Sequence, residues 1–190
     1  MLSAAQCVEV HRLAVAGREA GIARDVGDRV ARVWLARSRF ADVVRLAELT
    51  LTLGEDPGAF YDLGWAKRVT GFPAEALAAF DRALGLYRNR HHRGNEAATL
   101  NNIGSAHDRM GNRQRALDYY GQALPILREV GNRAREAATR FNLAMVCRRQ
   151  GDLDRAVAEL EQVVELDRQV GHPDLESDMA MLEQIRQERT

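Results

Sequence analysis

The sequence predicts an all-α chain of stacked antiparallel helix pairs, and three observations carry that prediction. The stretch EAATLNNIGSAHDRMGNRQRALDYY at 96–120 returns 40 positions later as EAATRFNLAMVCRRQGDLDRAVAEL at 136–160. Around Gly71, Gly111 and Gly151, small or apolar residues recur at helical spacing. Leu100, Ile103, Gly104 and His107 precede one such glycine, and Ala116, Leu117, Tyr120, Ala123 and Leu124 follow it. Glycine at these places suits the left-handed conformation that closes a helix. A chain that repeats one unit is usually built to present a surface, whereas a reaction centre usually needs a unique constellation.

The elements follow in order. Residues 2–20 read as a first helix. Helices over 24–37 and 40–53 form a worn, shorter unit: Trp34, Ser38, Phe40, Val43 and Ala47 fall against Lys67, Gly71, Pro73, Ala76 and Phe80 at an offset of 33. Helices over 58–70 and 73–89 flank Gly71, with Pro73 at an early position where its missing N–H is no loss. Helices over 94–110 and 113–130 flank Gly111, and Asn112 is expected to cap the second. Pro125 lies deep in that helix, where the absent side chain of Gly121 eases the crowding, so a bend is expected and not a break. Helices over 134–150 and 153–170 flank Gly151, with Asp152 as the cap. The ending HPDLESDMAMLEQIRQERT places Leu175, Met179, Leu182 and Ile185 on one face of a helix over 174–187, as a terminal cap requires.

Residues 1–190 therefore read as a single array: an N-terminal helix (1–23), a degenerate repeat (24–56), repeats at 57–90, 91–130 and 131–170, and a capping helix (171–190). With 46% hydrophobic and 28% charged residues the chain is foldable and soluble. Its 27 basic and 27 acidic side chains balance, which leaves no general field for nucleic acid or an anionic membrane. Cys7 and Cys147 have no metal or disulfide spacing and fit a reducing compartment. The N-terminus lacks a basic leader region, Glu9, His11 and Arg12 interrupt any apolar core there, and no apolar run is long enough to span a bilayer. A cytoplasmic location is the expectation.

The pattern of Ile103, Gly104, Gly111, Ala116, Tyr120 and Ala123 resembles the tetratricopeptide repeat. The 40-residue spacing, with TLNNIG and ALDYYGQALPILREVG, is similar to the longer repeats of kinesin light chains and bacterial signalling proteins. The resemblance implies a right-handed superhelix of antiparallel helix pairs with capping helices at its ends. Its concave face would be lined by the first helix of each pair. Lys67, His107 and Cys147 replace the usual mid-helix aromatic, and Arg140 replaces an apolar residue, so looser packing is expected there.

Residues spaced i, i+4, i+7, i+11 share one side of a helix. The groove-lining rows so selected contain Arg29 and Arg32, then Asp62 and Trp65, then Asn102, Ser105 and Arg109, then Asn142, Met145 and Arg149. Asn102 and Asn142 are the leading candidates, because a carboxamide both donates to and accepts from a peptide backbone. Asp62 takes the same place in the preceding repeat and is expected only to accept. The arginines could attract acidic side chains. The carboxylate clamp of chaperone-binding relatives is disfavoured, since Gly58, Ala98 and Ala138 stand where it needs a cation.

His91 and His92 read as a solvated junction, and His107 and Cys147 as packed side chains on a core-facing stripe. No nucleotide-binding, zinc-protease or serine-hydrolase motif occurs, no cofactor or metal is implied, and the glutamates are expected to form weak surface pairs with arginines. The expected activity is a non-catalytic scaffold holding a peptide or helix of a protein partner. The alternatives are a regulatory or sensor arm of a larger signalling ATPase or transcription factor, and an oligomerisation module that self-associates through its ends.

Overall fold

The computed structural model describes residues 3–189, so the first residue of the expected N-terminal helix, Leu2, lies outside the described residues. Among the described residues there are ten helices and no strand: α1 (Ala4–Ala16), α2 (Ala20–Ala36), α3 (Phe40–Leu51), α4 (Pro57–Val69), α5 (Pro73–Asn89), α6 (Arg93–Arg109), α7 (Arg113–Glu129), α8 (Arg133–Gln150), α9 (Leu153–Val170) and α10 (Leu175–Glu188). They form two compact units, Met1–His91 and His92–Thr190, each a run of sequential helices packed on their neighbours.

In the first unit Val30, Ala31 and Trp34 of α2 pack against Val43 and Leu46 of α3 and Ala66 of α4, with Cys7 and Val8 of α1 alongside. Buried His11 of α1 meets Thr50 of α3 at 2.9 Å. The Thr50 hydroxyl already donates to the Leu46 carbonyl, and burial lowers the histidine's pKa, so the ring is neutral and donates from Nε2. The second unit is built on Tyr120 and Leu124 of α7, Leu143 and Cys147 of α8, Leu160 and Val163 of α9, and Leu182 and Ile185 of α10.

The turns explain the register. Positive φ occurs at Gly71, His91, Gly111, Gly131, Gly151 and Gly171, 20 residues apart, and at Arg18, Ser38 and Gly54 nearer the N-terminus. The 40-residue repeat is thus two helix-turn steps. The offset of 33 arises because α3 and α4 are short, with 12 and 13 residues against 17 in α5 and α6. Two boundaries differ from expectation by four residues, the others by two or fewer: α1 ends at Ala16 and α2 begins at Ala20, because the turn falls at Gly17 and Arg18. Asn112 occupies the start of α7 but makes no side-chain cap, a correction to its expected role. Asn132 and Asp152 do cap, accepting from the backbone N–H of Arg135 and Arg155. Helix α7 continues through Pro125 without interruption.

Gly111 sits at φ +78 with open space where a Cβ would be, so its constraint is conformational, whereas a Cβ on Gly104 would lie 2.6 Å from the Tyr120 ring. Gly111→Val is expected to lower stability by roughly 1–3 kcal/mol. His91→Gly, at φ 55, should gain a little by relieving the same strain. Thermal melts of both variants check the pair, and an unchanged midpoint for Gly111→Val would refute the left-handed constraint.

Candidate partner-binding faces

In the first unit, Arg29 and Arg32 are exposed on α2. Arg29 makes no ion pair among the described residues, and Arg32 donates from Nε to the Asp28 carbonyl at 3.2 Å. On α4, half-buried Trp65 packs against Phe40 with centroids 5.8 Å apart, and the Arg68 guanidinium stands 5.7 Å from its ring. Asp62 faces a small cavity lined by Gly27, Asp28, Ala31, Thr50 and Ala59 among others.

Burial and the nearby carboxylates Asp28 and Asp56 raise the Asp62 pKa to about 7, with Arg32 opposing. The expectation that Asp62 only accepts is therefore corrected: near neutral pH a large share of it carries a proton and can donate, as the amides at 102 and 142 do. Asp56 is itself placed by two roles, accepting the Ala59 N–H as the cap of α4 and pairing with Arg24 at 3.4 Å.

In the second unit the structure separates residues that the helical row grouped. Asn102 is 7% exposed and donates from Nδ2 to the Ala98 carbonyl at 3.1 Å, so it lies in the wall of α6 and not on its surface. Half-buried Asn142 donates instead to Oδ1 of Asn101, a neighbour that sequence reasoning passed over, at 3.2 Å. One turn and more along the same two helices, Arg149 donates to Asp108 at 2.5 Å. The α6–α8 face thus carries two cross-helix polar contacts at a constant offset of 41 residues. Ser105 and Met145 are half-buried on these helices, Met145 packing on the core, while Arg109 is exposed and makes no ion pair among the described residues.

Arg140, expected to loosen the packing, is 5% exposed and held on both sides. Its Nη2 and Nε donate to Glu136 Oε1 at 3.1 Å, its Nη1 donates to Glu159 Oε2 at 2.5 Å, and Arg128 reaches the same Glu136 oxygen at 2.9 Å. The guanidinium replaces an apolar side chain with a satisfied ionic cluster, so it fills the site. Asp56, Glu96 and Glu136 stand 40 apart, and all three are buried, a recurrence that could have flagged this cluster. His107 is buried and stacks on Tyr119 at 5.4 Å, and Cys147 is fully buried, its thiol pKa raised by burial, as expected of packed residues.

Among the described residues no helix is long and apolar enough to cross a membrane. Tetratricopeptide repeat profiles match residues 58–129 and 137–170, together more than half of the chain. The chain belongs to the tetratricopeptide repeat family. Its fold class is the all-α superhelix of antiparallel helix pairs, and its repeats are those of protein–protein interaction scaffolds. Similar solved structures include apo RapI, at 14% identity and TM-score 0.75, covering 84% of this chain and 61% of that one. BtubC (BKLC) from P. vanneervenii is 18% identical with TM-score 0.71, covering 98% of this chain and 89% of that one. Kinesin light chain TPR-like repeats from Podosopora anserina are 19% identical with TM-score 0.68, covering 86% of each chain. At such identities the likeness is one of fold alone, and this tetratricopeptide chain spans less than two thirds of the length of RapI. No curated protein matches it.

Proposed function

We propose that the chain is a non-catalytic scaffold that holds an extended peptide or helix of a protein partner along the first helices of its repeats. The observation that carries this reading is the α6–α8 face, where Asn101, Asn142, Ser105 and Met145 are half-buried beside the buried amide of Asn102. Half-burial matters because a polar group that keeps part of its surface in water can exchange an internal partner for a backbone N–H or C=O of a ligand at little net cost. In the first unit, Asp62 and Trp65 with Arg29 and Arg32 form the corresponding row. On this reading the repeats act as one array from 24 to 170, and the two free cysteines support work in the reducing cytoplasm.

The test is a titration of a captured partner against three pairs of substitutions. Asn101→Ala with Asn142→Ala should weaken binding about tenfold or more, from two or more hydrogen bonds of about 0.5–1.5 kcal/mol each. Arg109→Ala with Arg149→Ala should flatten the salt dependence, Arg109 more than Arg149 because the latter is already paired with Asp108. Arg115→Ala with Arg155→Ala, both exposed, serves as the outer-face control. If only that control pair weakens binding, the concave-face reading is wrong.

A further inference from the structure

The second unit contains a cavity of about 420 Å³ between α8, α9 and α10. Its walls are Ala134, Ala138 and Phe141 of α8 and Val163 of α9, and Asn142 lies on the same lining. Asp167 of α9 and Asp178 of α10 also line it, with His172 and Asp174 from the turn between them.

Asp167 is 2% exposed. Four acidic residues are buried among the described residues, and three of them have an arginine partner: Asp56 has Arg24, Glu96 has Arg93, and Glu136 has Arg140. Asp167 is in no ion pair among the described residues, and with Asp178, whose pKa it raises, it lines the same cavity. Burial and the neighbouring carboxyl favour the protonated form of Asp178. A buried carboxyl normally takes a cation, and Asp167 has none among the described residues.

We propose that this cavity takes a basic side chain of the bound partner, an arginine or lysine, with Asp167 and Asp178 as its counter-charge. The alanines, Phe141 and Val163 accommodate the methylene stem while the charged head reaches the two carboxyls. Below about pH 6 the incoming cation must displace the Asp178 proton to solvent, whereas above it the carboxylate is already ionised and free to pair. A metal ion is the poorer fit, because no group of three His, Cys, Asp or Glu side chains among the described residues is placed to hold one.

The groups facing the pair set the pH dependence. Burial and neighbouring Asp167 raise the Asp178 pKa to about 6; Asp174 adds to this, His172 opposes it, and the α8 wall contributes no charged side chain. His172 itself lies 3.8 Å from Asp174 and accepts the Asp174 N–H at Nδ1. Affinity for a basic ligand should therefore rise as pH rises through about 6, where the proton is most easily lost.

The inference rests on the partner-binding reading above, and one experiment separates the two. Peptides are selected from a random display library on the whole 190-residue chain, synthesised with each arginine as such or as citrulline, and titrated at pH 5.5 and 7.5. The selected peptides are expected to carry a basic residue. Citrulline at the pocket position should weaken binding about tenfold or more at pH 7.5 and less at pH 5.5. Asp167→Asn with Asp178→Asn should abolish the arginine preference while the citrulline peptide binds as before. The single change Asp178→Asn, at a partly exposed site, tests the same loss of pH dependence without threatening the fold. Selected peptides without basic residues, or variants that still prefer arginine, overturn the pocket and leave the groove standing. A selection that yields no peptide overturns both.

Discussion

Replacing Arg140 with Ala is expected to destabilise the second unit by about 3 kcal/mol, because it strips the counter-charge from mostly buried Glu159 and one of two arginines from buried Glu136. Glu136 would keep Arg128, whereas Glu159, with its side chain 20% exposed, would lose the partner at 2.5 Å. Denaturant unfolding of the variant should show a lower midpoint at an unchanged slope. The control is a triple variant, Arg140→Leu with Glu136→Leu and Glu159→Leu, which removes the charges together. Because desolvating ions offsets most of their mutual attraction, that variant should recover much of the loss. If Arg140→Ala leaves the midpoint in place, the cluster is a solvated surface pair after all.

The helix-pair pattern was legible because each step of the chain repeats the same two constraints, an apolar stripe that must be covered and a left-handed turn that glycine supplies. Where glycine is missing, legibility drops. Arg18 and Ser38 adopt φ 57 and 56, and the hidden turn at Arg18 is why the first helix was expected to run on toward residue 20. Single-residue identity on a face was less legible. Neighbouring helical residues differ in direction by about 100°, so a row chosen by spacing selects Asn102 while the cross-helix bond is made by Asn101. Arg140 looked like an exception to an apolar column because its partners lie 4 and 19 residues away, and only packing of α9 on α8 brings Glu159 to it. Asp167 and Asp178 fall outside the row altogether, on a second helix and the capping helix, and neither carries a motif.

Asp62→Asn is expected to make the first unit more stable than the unmodified chain at pH 8, and the advantage should shrink as pH falls. The sign follows from where the proton is held. The folded chain keeps the Asp62 proton up to about pH 7, whereas an unfolded carboxyl releases it near its ordinary value of 3.8. Between those values the folded state binds more protons than the unfolded one, so stability drops as pH rises, and the drop is complete above about 7. At about 1.4 kcal/mol per pKa unit this amounts to a few kcal/mol. After burial, the groups responsible are Asp28 on α2 and Asp56 at the start of α4, with Arg32 on α2 opposing them; the Tyr87 phenol on α5 is itself raised by burial and by Asp62. An amide at position 62 cannot ionise, so melts of Asp62→Asn between pH 5 and 8 should lose most of the decline. A remainder should survive in part from Asp178 in the other unit, and adding Asp178→Asn should reduce it. Parallel curves for Asp62→Asn and the unmodified chain would mean that Asp62 is already ionised across this range, and that the repeat presents a fixed negative charge where the later repeats present a neutral amide.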